Sequence, residues 1–412
     1  MPHRPYEDVR ITGHLIDSGI MSEIMDGIVA VDGEFETLSF EVGRTNEDVS
    51  IALLRVRGRN EEHLDHILGL IGQMGAEPVD AEDVVTVPAP ADGVFPERFY
   101  ATTNLETAVR VGGRWVPVAR TEMDLGIVIE DGTAHTVPMA DVRAGEAVVT
   151  GHAGVRVRPL ERPRDKQEFE FMNSEVSSEK PKALVIRDVA RMLRKVKARG
   201  ENIVLVVGPA VVHTGAAHHL ARLVEMGYVS VLFGGNAVAV HDIEAALYGT
   251  SLGVSVEAGT PTVGGHEHHL RAINKIRACG GIAGAVEQGV LTSGLMHMLV
   301  QTGTPYVLAG SIRDDGPLPD VITDVLEAQR VMRGFCQSAG ACIMLSTMLH
   351  SIATGNMLPA QVTTICVDIN PAVVTKLADR GSFQTIGIVT DVGLFLEMLA
   401  DELERAEASE AS

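Results

Sequence analysis

Apolar positions follow two different rhythms along this chain. In the first third, FETLSFEV (Phe35–Val42) and VSIALLRVRG (Val49–Gly58) are rich in the β-branched, aromatic and aliphatic residues that suit strands. NEEHLDHILGLIGQMGAEPV follows, with Leu64, Ile67, Leu68 and Ile71 at helical spacing and Gly75 as a stop. Strand, helix and turn in this order predict a small α+β sandwich. From about Ala108 to Pro159, short β-type runs such as GGRWVPVAR, GIVIEDG and EAVVTGHAGVRV are broken by Gly-Gly, Asp-Gly and Ala-Gly turns. They predict a small β-barrel or an extension of the sheet.

A polar stretch, ERPRDKQEFEFMNSEVSSEKPK, has few aliphatics and reads as a connection between domains. From about Ala183 the rhythm changes. The apolar runs NIVLVVGPA, VSVLFGG, PYVLAGS, ACIMLS, TTICVDI and TIGIVTD now alternate with helical patterns such as HHLARLVEMG, HDIEAALYG, DVITDVLEAQRVMRG, PAVVTKLADRG and VGLFLEMLADEL. Strands that are apolar throughout, each followed by a helix, predict a parallel sheet covered on both faces. The expected organisation is a smaller β-rich α+β domain over residues 1–160, a connection over 161–182 and an α/β domain over 183–412. The last residues, RAEASEAS, read as a frayed tail.

In open α/β sheets, ligands bind at the carboxyl ends of the strands. The residues just past the runs are Gly208-Pro209, Gly234-Gly235-Asn236-Ala237, the stretch from Gly310 to Pro317 with Arg313 and Asp314, Asp368-Ile369-Asn370-Pro371, and Thr390-Asp391-Val392. Asp368 ends the strand TTICVD, where a carboxylate accepts hydrogen bonds from both ribose hydroxyls of NAD and repels a 2′-phosphate. The plainer reading is that Asp368 or Asn370 caps the helix starting at Pro371, and Asp391 carries the same two readings. Gly234-Gly235 allows close approach of a ligand that Asn236 then bonds, or forms a simple turn. No G-x-G-x-x-G is present, so a nucleotide site must be built in another way.

Composition narrows the setting. A net charge of −21 disfavours nucleic acid as a partner, since phosphate binding depends on Lys and Arg. No apolar run reaches the ~18–20 residues of a membrane span, and the N-terminus lacks the apolar core of a secretory signal. Four scattered cysteines without a C-x-x-C pair argue against a disulfide framework and a zinc site, leaving a reducing cytoplasm as the expected compartment. His266-Glu267-His268-His269 resembles the start of a zincin helix, but Leu270 stands where H-E-x-x-H needs histidine, so no metal is expected. Arg55, Arg57 and Arg59 read as a solvated face. Thr102-Thr103-Asn104 and Glu122-Met123-Asp124 read as turns or caps.

Several strings together are more specific. They are FEFMNSEVSSEKP (Phe169–Pro181), GGNAVAVHDIE (Gly234–Glu244), YGTSLGV (Tyr248–Val254), LAGSIRDDGPLPDV (Leu308–Val321), TMLHSIATGNMLP (Thr347–Pro359), VDINPAVVTKLADRGS (Val367–Ser382) and VTDVG (Val389–Gly393). With them the chain resembles, from about Ile11 to Leu403, the family whose N-terminal part is named for lysine-oxoglutarate reductase/saccharopine dehydrogenase. That family includes archaeal NAD-dependent ornithine cyclodeaminases and the C-terminal part of cyanobacterial arginine dihydrolase–ornithine cyclodeaminase fusions. The resemblance implies a C-terminal NAD-binding fold similar to that of deoxyhypusine synthase. It implies NAD contacts at Asn236, Ala237, Asp314, the ATGNML loop (Thr354, Gly355, Asn356, Met357, Leu358), Asp368, Asp391 and Val392. One position departs from the family pattern: Leu125 follows Glu122-Met123-Asp124 where the family carries Cys.

The implied reaction converts L-ornithine to L-proline and ammonia, with NAD taking and returning a hydride. A saccharopine-type oxidoreductase and a non-catalytic NAD sensor are the alternatives. An arginine is expected to hold the substrate carboxylate, because its fork matches two oxygens. Arg313 and Arg110 are the candidates. Asp314 is placed at cofactor or substrate amine, Glu175 at proton transfer. The expected partners are a small amino acid and further copies of the same chain.

Overall fold

The computed structural model describes residues 4–15, 19–43, 48–80, 82–158, 182–252, 254–255, 268–314, 316–380 and 385–410. The FEFMNSEVSSEKP string and Glu175 lie outside them. The chain divides into two compact units, Met1–Phe171 and Met172–Ser412.

The first unit opens with β1 (Tyr6–Gly13), α1 (Ile20–Ala30), β2 (Glu34–Glu41), β3 (Ser50–Arg57), α2 (Glu61–Gly72) and β4 (Ala76–Pro78). The strands lie in the order β2-β3-β1-β4, every neighbour antiparallel. This is the split βαβ arrangement, in which β3 lies between the two strands of the first crossover. Alternation along β3 explains its placement: Ala52, Leu54 and Val56 are buried with Ile24, Ile28, Ile67 and Ile71 of the two helices. The intervening arginines face outward. Arg55 donates to both oxygens of Asp8 at 2.7 and 2.8 Å, and Arg57 meets Glu36 at 3.0 Å.

A second sheet follows, with β5 (Val85–Pro88), β6 (Glu106–Val111), β7 (Arg114–Ala119), β8 (Gly126–Glu130), β9 (Thr133–Val137), β10 (Ala147–Thr150) and β11 (Val155–Arg158). Its order is β11-β6-β7-β9-β8-β10-β5. The turn signals in the sequence act as expected. Gly112-Gly113 joins β6 to β7 and Asp131-Gly132 joins β8 to β9, all four residues having positive φ, as two-residue hairpin turns require. The Thr102 hydroxyl donates to the Glu122 carbonyl at 2.5 Å and accepts from the Leu125 amide at 3.1 Å, so these polar groups stitch two loops together.

The second unit holds α3 (Lys182–Ala198), β12 (Asn202–Val207), α4 (Ala210–His213), α5 (Ala217–Glu225), β13 (Val231–Gly235) and α6 (Asn236–Tyr248). A short antiparallel pair, β14 (Thr250–Ser251) and β15 (Val254–Ser255), and helices α7 (His268–Ala278), α8 (Ile282–Glu287) and α9 (Leu295–Thr302) come next. The chain ends with β16 (Tyr306–Ala309), β17 (Val321–Ile322), α10 (Val325–Cys336), β18 (Ala339–Leu345), α11 (Leu349–Met357), β19 (Thr363–Asp368), α12 (Pro371–Arg380), β20 (Thr385–Val389) and α13 (Val392–Glu410). All strands of the large sheet are parallel, in the order β17-β16-β13-β12-β18-β19-β20. Ile203, Val204, Leu205 and Val206 are all buried, so β12 is covered on both faces.

Three expectations need correction. DVITDVLEAQRVMRG is not one helix: Val321–Ile322 is the edge strand β17, and the Asp324 carboxylate caps α10 by accepting from the Leu326 and Glu327 amides. Arg405 to Glu410 of the RAEASEAS string are not frayed, because α13 continues through Glu410. ATGNML is not a loop: Thr354 to Met357 form the last turn of α11.

One buried charge ties two helices of this unit together. The Asp242 carboxylate on α6 accepts from the Leu295 and Met296 amides at 2.9 and 2.8 Å, capping α9 from outside its own chain segment. Gly294 is required there, since its φ is +99° and a Cβ would lie 2.9 Å from the carboxylate. Burial outweighs the two amides and pushes the Asp242 pKa up to about 6. A pKa raised above its unfolded value of 3.8 means a stabilising contribution that is full below that value and lost as pH rises through about 6. Between pH 4 and pH 7 the protein should therefore lose on the order of 2 kcal/mol more than Asp242→Asn does. Guanidinium midpoints across that range, measured for both proteins, check the difference.

Candidate functional site

Successive strands of the parallel sheet run outward from β12 through β13 and β16 to β17, then resume on the other side with β18, β19 and β20. The topological switch point thus lies between β12 and β18, where open α/β sheets form their ligand crevice. The two backbones touch there. A Cβ on Gly208 would stand 2.1 Å from the Ser346 carbonyl oxygen, so only glycine fits. Ser346 itself has φ +49°, a left-handed conformation that costs a non-glycine residue about 1–3 kcal/mol.

The carboxyl edge collects most of the residues expected to act. Asn236 and Ala237 open α6 after β13, and Asp314 follows β16. Asn236 is buried, and its Oδ1 accepts from the Leu318 amide at 3.0 Å, which ties the loop after β16 to the turn after β13. Its Nδ2 makes no hydrogen bond among the described residues. In that loop the Asp314 carboxylate accepts from the Ser311 amide at 2.8 Å, and the Ser311 hydroxyl accepts from the Arg313 amide at 3.1 Å. These bonds close a small turn whose tip, Ile312 and Arg313, is exposed. The Arg313 guanidinium has no partner among the described residues.

On the other half of the sheet, Asp368 ends β19 and Asp391 follows β20. Each carboxylate engages one oxygen in local backbone bonding. Asn370 is the cap of α12, its Oδ1 accepting from the Ala372 amide at 3.0 Å. Asp368 shapes the turn through Oδ1, which accepts from the Asn370 amide at 2.8 Å, and its second oxygen makes no hydrogen bond among the described residues. Asp391 is a cap: its Oδ1 accepts from the Leu394 amide of α13 at 3.0 Å. From β13 to β19 is three strand spacings, roughly 14 Å.

Helix α11, which follows the switch point, carries an unusual polar stripe. Ser351 and Thr354 are fully buried, yet among the described residues neither hydroxyl has a hydrogen-bond partner, and the same holds for Nδ1 of His350. Positions 350, 351 and 354 share one face of a helix. Buried polar atoms without partners are rare and call for an explanation. Gly355 and Asn356 are half-buried on the last turn. Met357 and Leu358 instead pack into the sheet core with Val204 and Met344, and Val392 is buried at the start of α13.

Arg110, the other arginine candidate, belongs to the first unit and pairs through Nη1 with Asp83 at 3.0 Å. Sequence reasoning passed over a polar cluster on α6. His241 meets the fully buried Glu244 at 3.2 Å, and Glu244 also accepts from the Thr250 hydroxyl and the Leu252 amide. The His213 ring stands 4.8 Å from that of His241, and its Nδ1 meets the Ser251 hydroxyl at 2.7 Å. Burial, and then the charge of His241, push the His213 pKa down, so it is neutral at pH 7. The signal was available in HDIE, three polar side chains in an otherwise apolar helix. Among the described residues no group of three or more His, Cys, Asp or Glu side chains is arranged to hold a metal. No described helix is long and apolar enough to cross a membrane.

Family models cover the chain in three consecutive stretches. Residues 6–105 match the conserved region of the LOR/SDH bifunctional enzyme, 106–186 the first C-terminal region of arginine dihydrolase ArgZ-like proteins, and 187–399 the Rossmann-fold C-terminal region of those proteins. The ornithine cyclodeaminase of Methanopyrus kandleri is 54% identical over 408 residues, 98% of this chain and 99% of that protein. The apo structure of cyanobacterial ArgZ, an arginine dihydrolase, superposes with a TM-score of 0.85 at 39% identity, covering 98% of this chain and 59% of that one. A ternary complex of AgrE with ornithine and NAD+ superposes at 0.55 with 43% identity, over 98% of this chain and 58% of that one. Fold and sequence together define a Rossmann-type α/β unit joined to an N-terminal region of LOR/SDH type. The chain belongs to the ornithine cyclodeaminase family.

The glycines of the carboxyl edge differ in what they must accommodate, and stability should show it. Gly208→Ala forces the Ser346 carbonyl aside and should cost about 1–3 kcal/mol. Gly235→Ala, whose nearest neighbour is the Ala309 carbonyl at 3.7 Å, should cost less than about 1 kcal/mol. Chemical denaturation of the two variants tests the contrast.

Proposed function

We propose that this protein is an ornithine cyclodeaminase that converts L-ornithine to L-proline and ammonia, with NAD held at the carboxyl edge of the parallel sheet and regenerated in each turnover. Family membership over nearly the whole chain carries the substrate. The uncommitted polar atoms gathered at one sheet edge carry the cofactor. Their chemistry suits a dinucleotide: a carboxylate oxygen on Asp368 for ribose hydroxyls, an amide on Asn236, and donors on Ser351 and Thr354 that have no partner among the described residues. Ala237, Asp314, Gly355, Asn356, Asp391 and Val392 complete the contacts. The side chains of Met357 and Leu358 are in the core, so these two contribute through their backbone.

Bound NAD supplies a hydride acceptor for the α-carbon and gives the hydride back after ring closure. The protein has three other tasks. It must hold the α-carbon in place, keep water from the imine and move protons. The unpaired, exposed Arg313 guanidinium receives the substrate carboxylate, and the free oxygen of Asp314 beside it receives a substrate amine. Proton transfer is assigned to Glu175, which lies outside the described residues. The enzyme is placed in the cytoplasm as a homo-oligomer.

Removing the carboxylate in Asp368→Ala should weaken NAD binding by about 10- to 150-fold, the loss of one hydrogen bond to a charged group worth roughly 1.5–3 kcal/mol. Calorimetry with NAD alone measures it. Unchanged affinity would leave Asp368 as a turn residue.

Isotopic labelling tests the reaction. Ornithine deuterated at the α-carbon should give proline that keeps deuterium at that carbon, with no net NADH. Deuterium lost to solvent, or NADH accumulating with product, would exclude internal return of the hydride and point to a saccharopine-type oxidoreductase.

A further inference from the structure

The first unit contains a cavity of about 380 Å³ that the reaction above does not use. It opens between β1, α2, β4 and the start of β11. Leu68, Pro78, Val155 and Val157 give it an apolar wall, and Glu7, Asp80 and Glu82 bring carboxylates to it. None of these three carboxylates has a hydrogen bond or ion pair among the described residues. The surrounding acids are answered differently: Asp8 by Arg55, Asp65 by Arg98, Glu77 by Arg156 and Asp83 by Arg110. The arginines nearby are therefore spent, and among the described residues Glu7, Asp80 and Glu82 have no counter-charge. Burial, and then the charges of Asp8, Asp80 and Glu82, push the Glu7 carboxyl above its usual range.

A second observation is independent of charge. Tyr100 lines the cavity, is only 3% exposed, and its hydroxyl makes no hydrogen bond among the described residues. The fold also goes to some length to shape this wall. A Cβ on Gly69 of α2 would lie 2.4 Å from Nε2 of His152, so glycine is what lets that imidazole lie against the helix. Gly154, at φ +70°, brings the backbone of Glu82 to where a Cβ would stand 2.7 Å from its carbonyl oxygen, which fixes Glu82 at the rim.

We propose that this cavity binds an aliphatic polyamine, two or more ammonium groups on a hydrocarbon stem, with the stem along Leu68, Pro78 and Val157, the ammonium groups at Glu7, Asp80 and Glu82, and the Tyr100 oxygen accepting from one of them. A hard metal ion would find no use for the apolar wall. A basic amino acid would bring a carboxylate, and no cation among the described residues lines the cavity to receive it: burial, followed by the charges of Arg98 and His66, pushes the His152 pKa down, leaving it neutral at pH 7.

Calorimetry on the full chain with spermidine as the probe tests this without cofactor or substrate. Saturable binding at one site is expected, weakening as salt rises from 50 to 200 mM. Glu7→Gln combined with Glu82→Gln should weaken it at least about 10-fold, and Tyr100→Phe by several-fold. Melting temperatures without spermidine show that the variants fold. No saturable binding by folded wild-type protein would overturn the proposal. So would equal affinity in the double variant, which would put spermidine elsewhere, or displacement of spermidine by equimolar Mg2+ or L-ornithine.

Discussion

The second unit is organised around one close approach of two backbones, where the chain leaving β12 passes the chain leaving β18. Parallel strands side by side have parallel exits, and at most positions side chains keep those exits apart. Here Gly208 removes the side chain and Ser346 accepts a left-handed conformation. With that contact in place, the loops on either side face different halves of the sheet edge. Asn236 and the loop after β16 belong to one half, Asp368 and Asp391 to the other, and α11 starts between them. A chain without the usual glycine-rich fingerprint still obtains a crevice, because the strand order creates it and one glycine lets it close at the base.

What distinguishes the residues along this edge is how much of their bonding capacity the fold itself consumes. Asp242 gives both of its oxygens to the cap of α9. Asp391, Asn370, Asp368, Asn236 and Asp314 each give one polar atom to the backbone and, among the described residues, keep another. Among those residues Ser351 and Thr354 give none. A ligand site needs groups whose positions are fixed by packing and whose bonding is incomplete, and one polar atom held by the backbone is an economical way to obtain both. The same accounting separates Arg313 from Arg110: the first has no partner among the described residues and sits at a loop tip, and the second is held by Asp83.

Much of this was legible in the sequence, and the exceptions have physical causes. The strands of the parallel sheet stood out because they are buried on both faces, which leaves unbroken apolar runs. The hairpin turns were legible because Gly112-Gly113 and Asp131-Gly132 have few other uses. β1 and α1 were missed: YEDVRITG alternates weakly, with charged residues on its outer face paired across to β3, and IMSEIMDGIVA contains a glycine. β17 was missed because two residues cannot show a period. ATGNML looked like a loop because Thr, Gly and Asn are poor helix formers, but Met357 and Leu358 anchor that turn in the core, and packing outweighs propensity. Nothing in spacing alone could show that Glu7, Asp80 and Glu82 lack counter-charges among the described residues, since that depends on which acids the arginines reach. The polar stripe on α11 was equally hidden, because a serine and a threonine in a helix ordinarily bond their own backbone.

The strand order also sets a schedule for the ribosome. β12 is the first strand of the large sheet to be made and lies at its centre. One of its edges is filled early by β13, whose first paired residue, Val231, meets Val204. The other waits for β18, which begins at Ala339. For more than a hundred residues of synthesis, an apolar strand therefore presents an unpaired edge of the kind that recruits neighbouring chains. The half-sheet β17-β16-β13-β12 is a natural early assembly, and its vulnerable side is the one later sealed at the crevice. Aggregation of nascent chains should thus concentrate on the same edge of β12 that, once covered, forms one wall of the crevice.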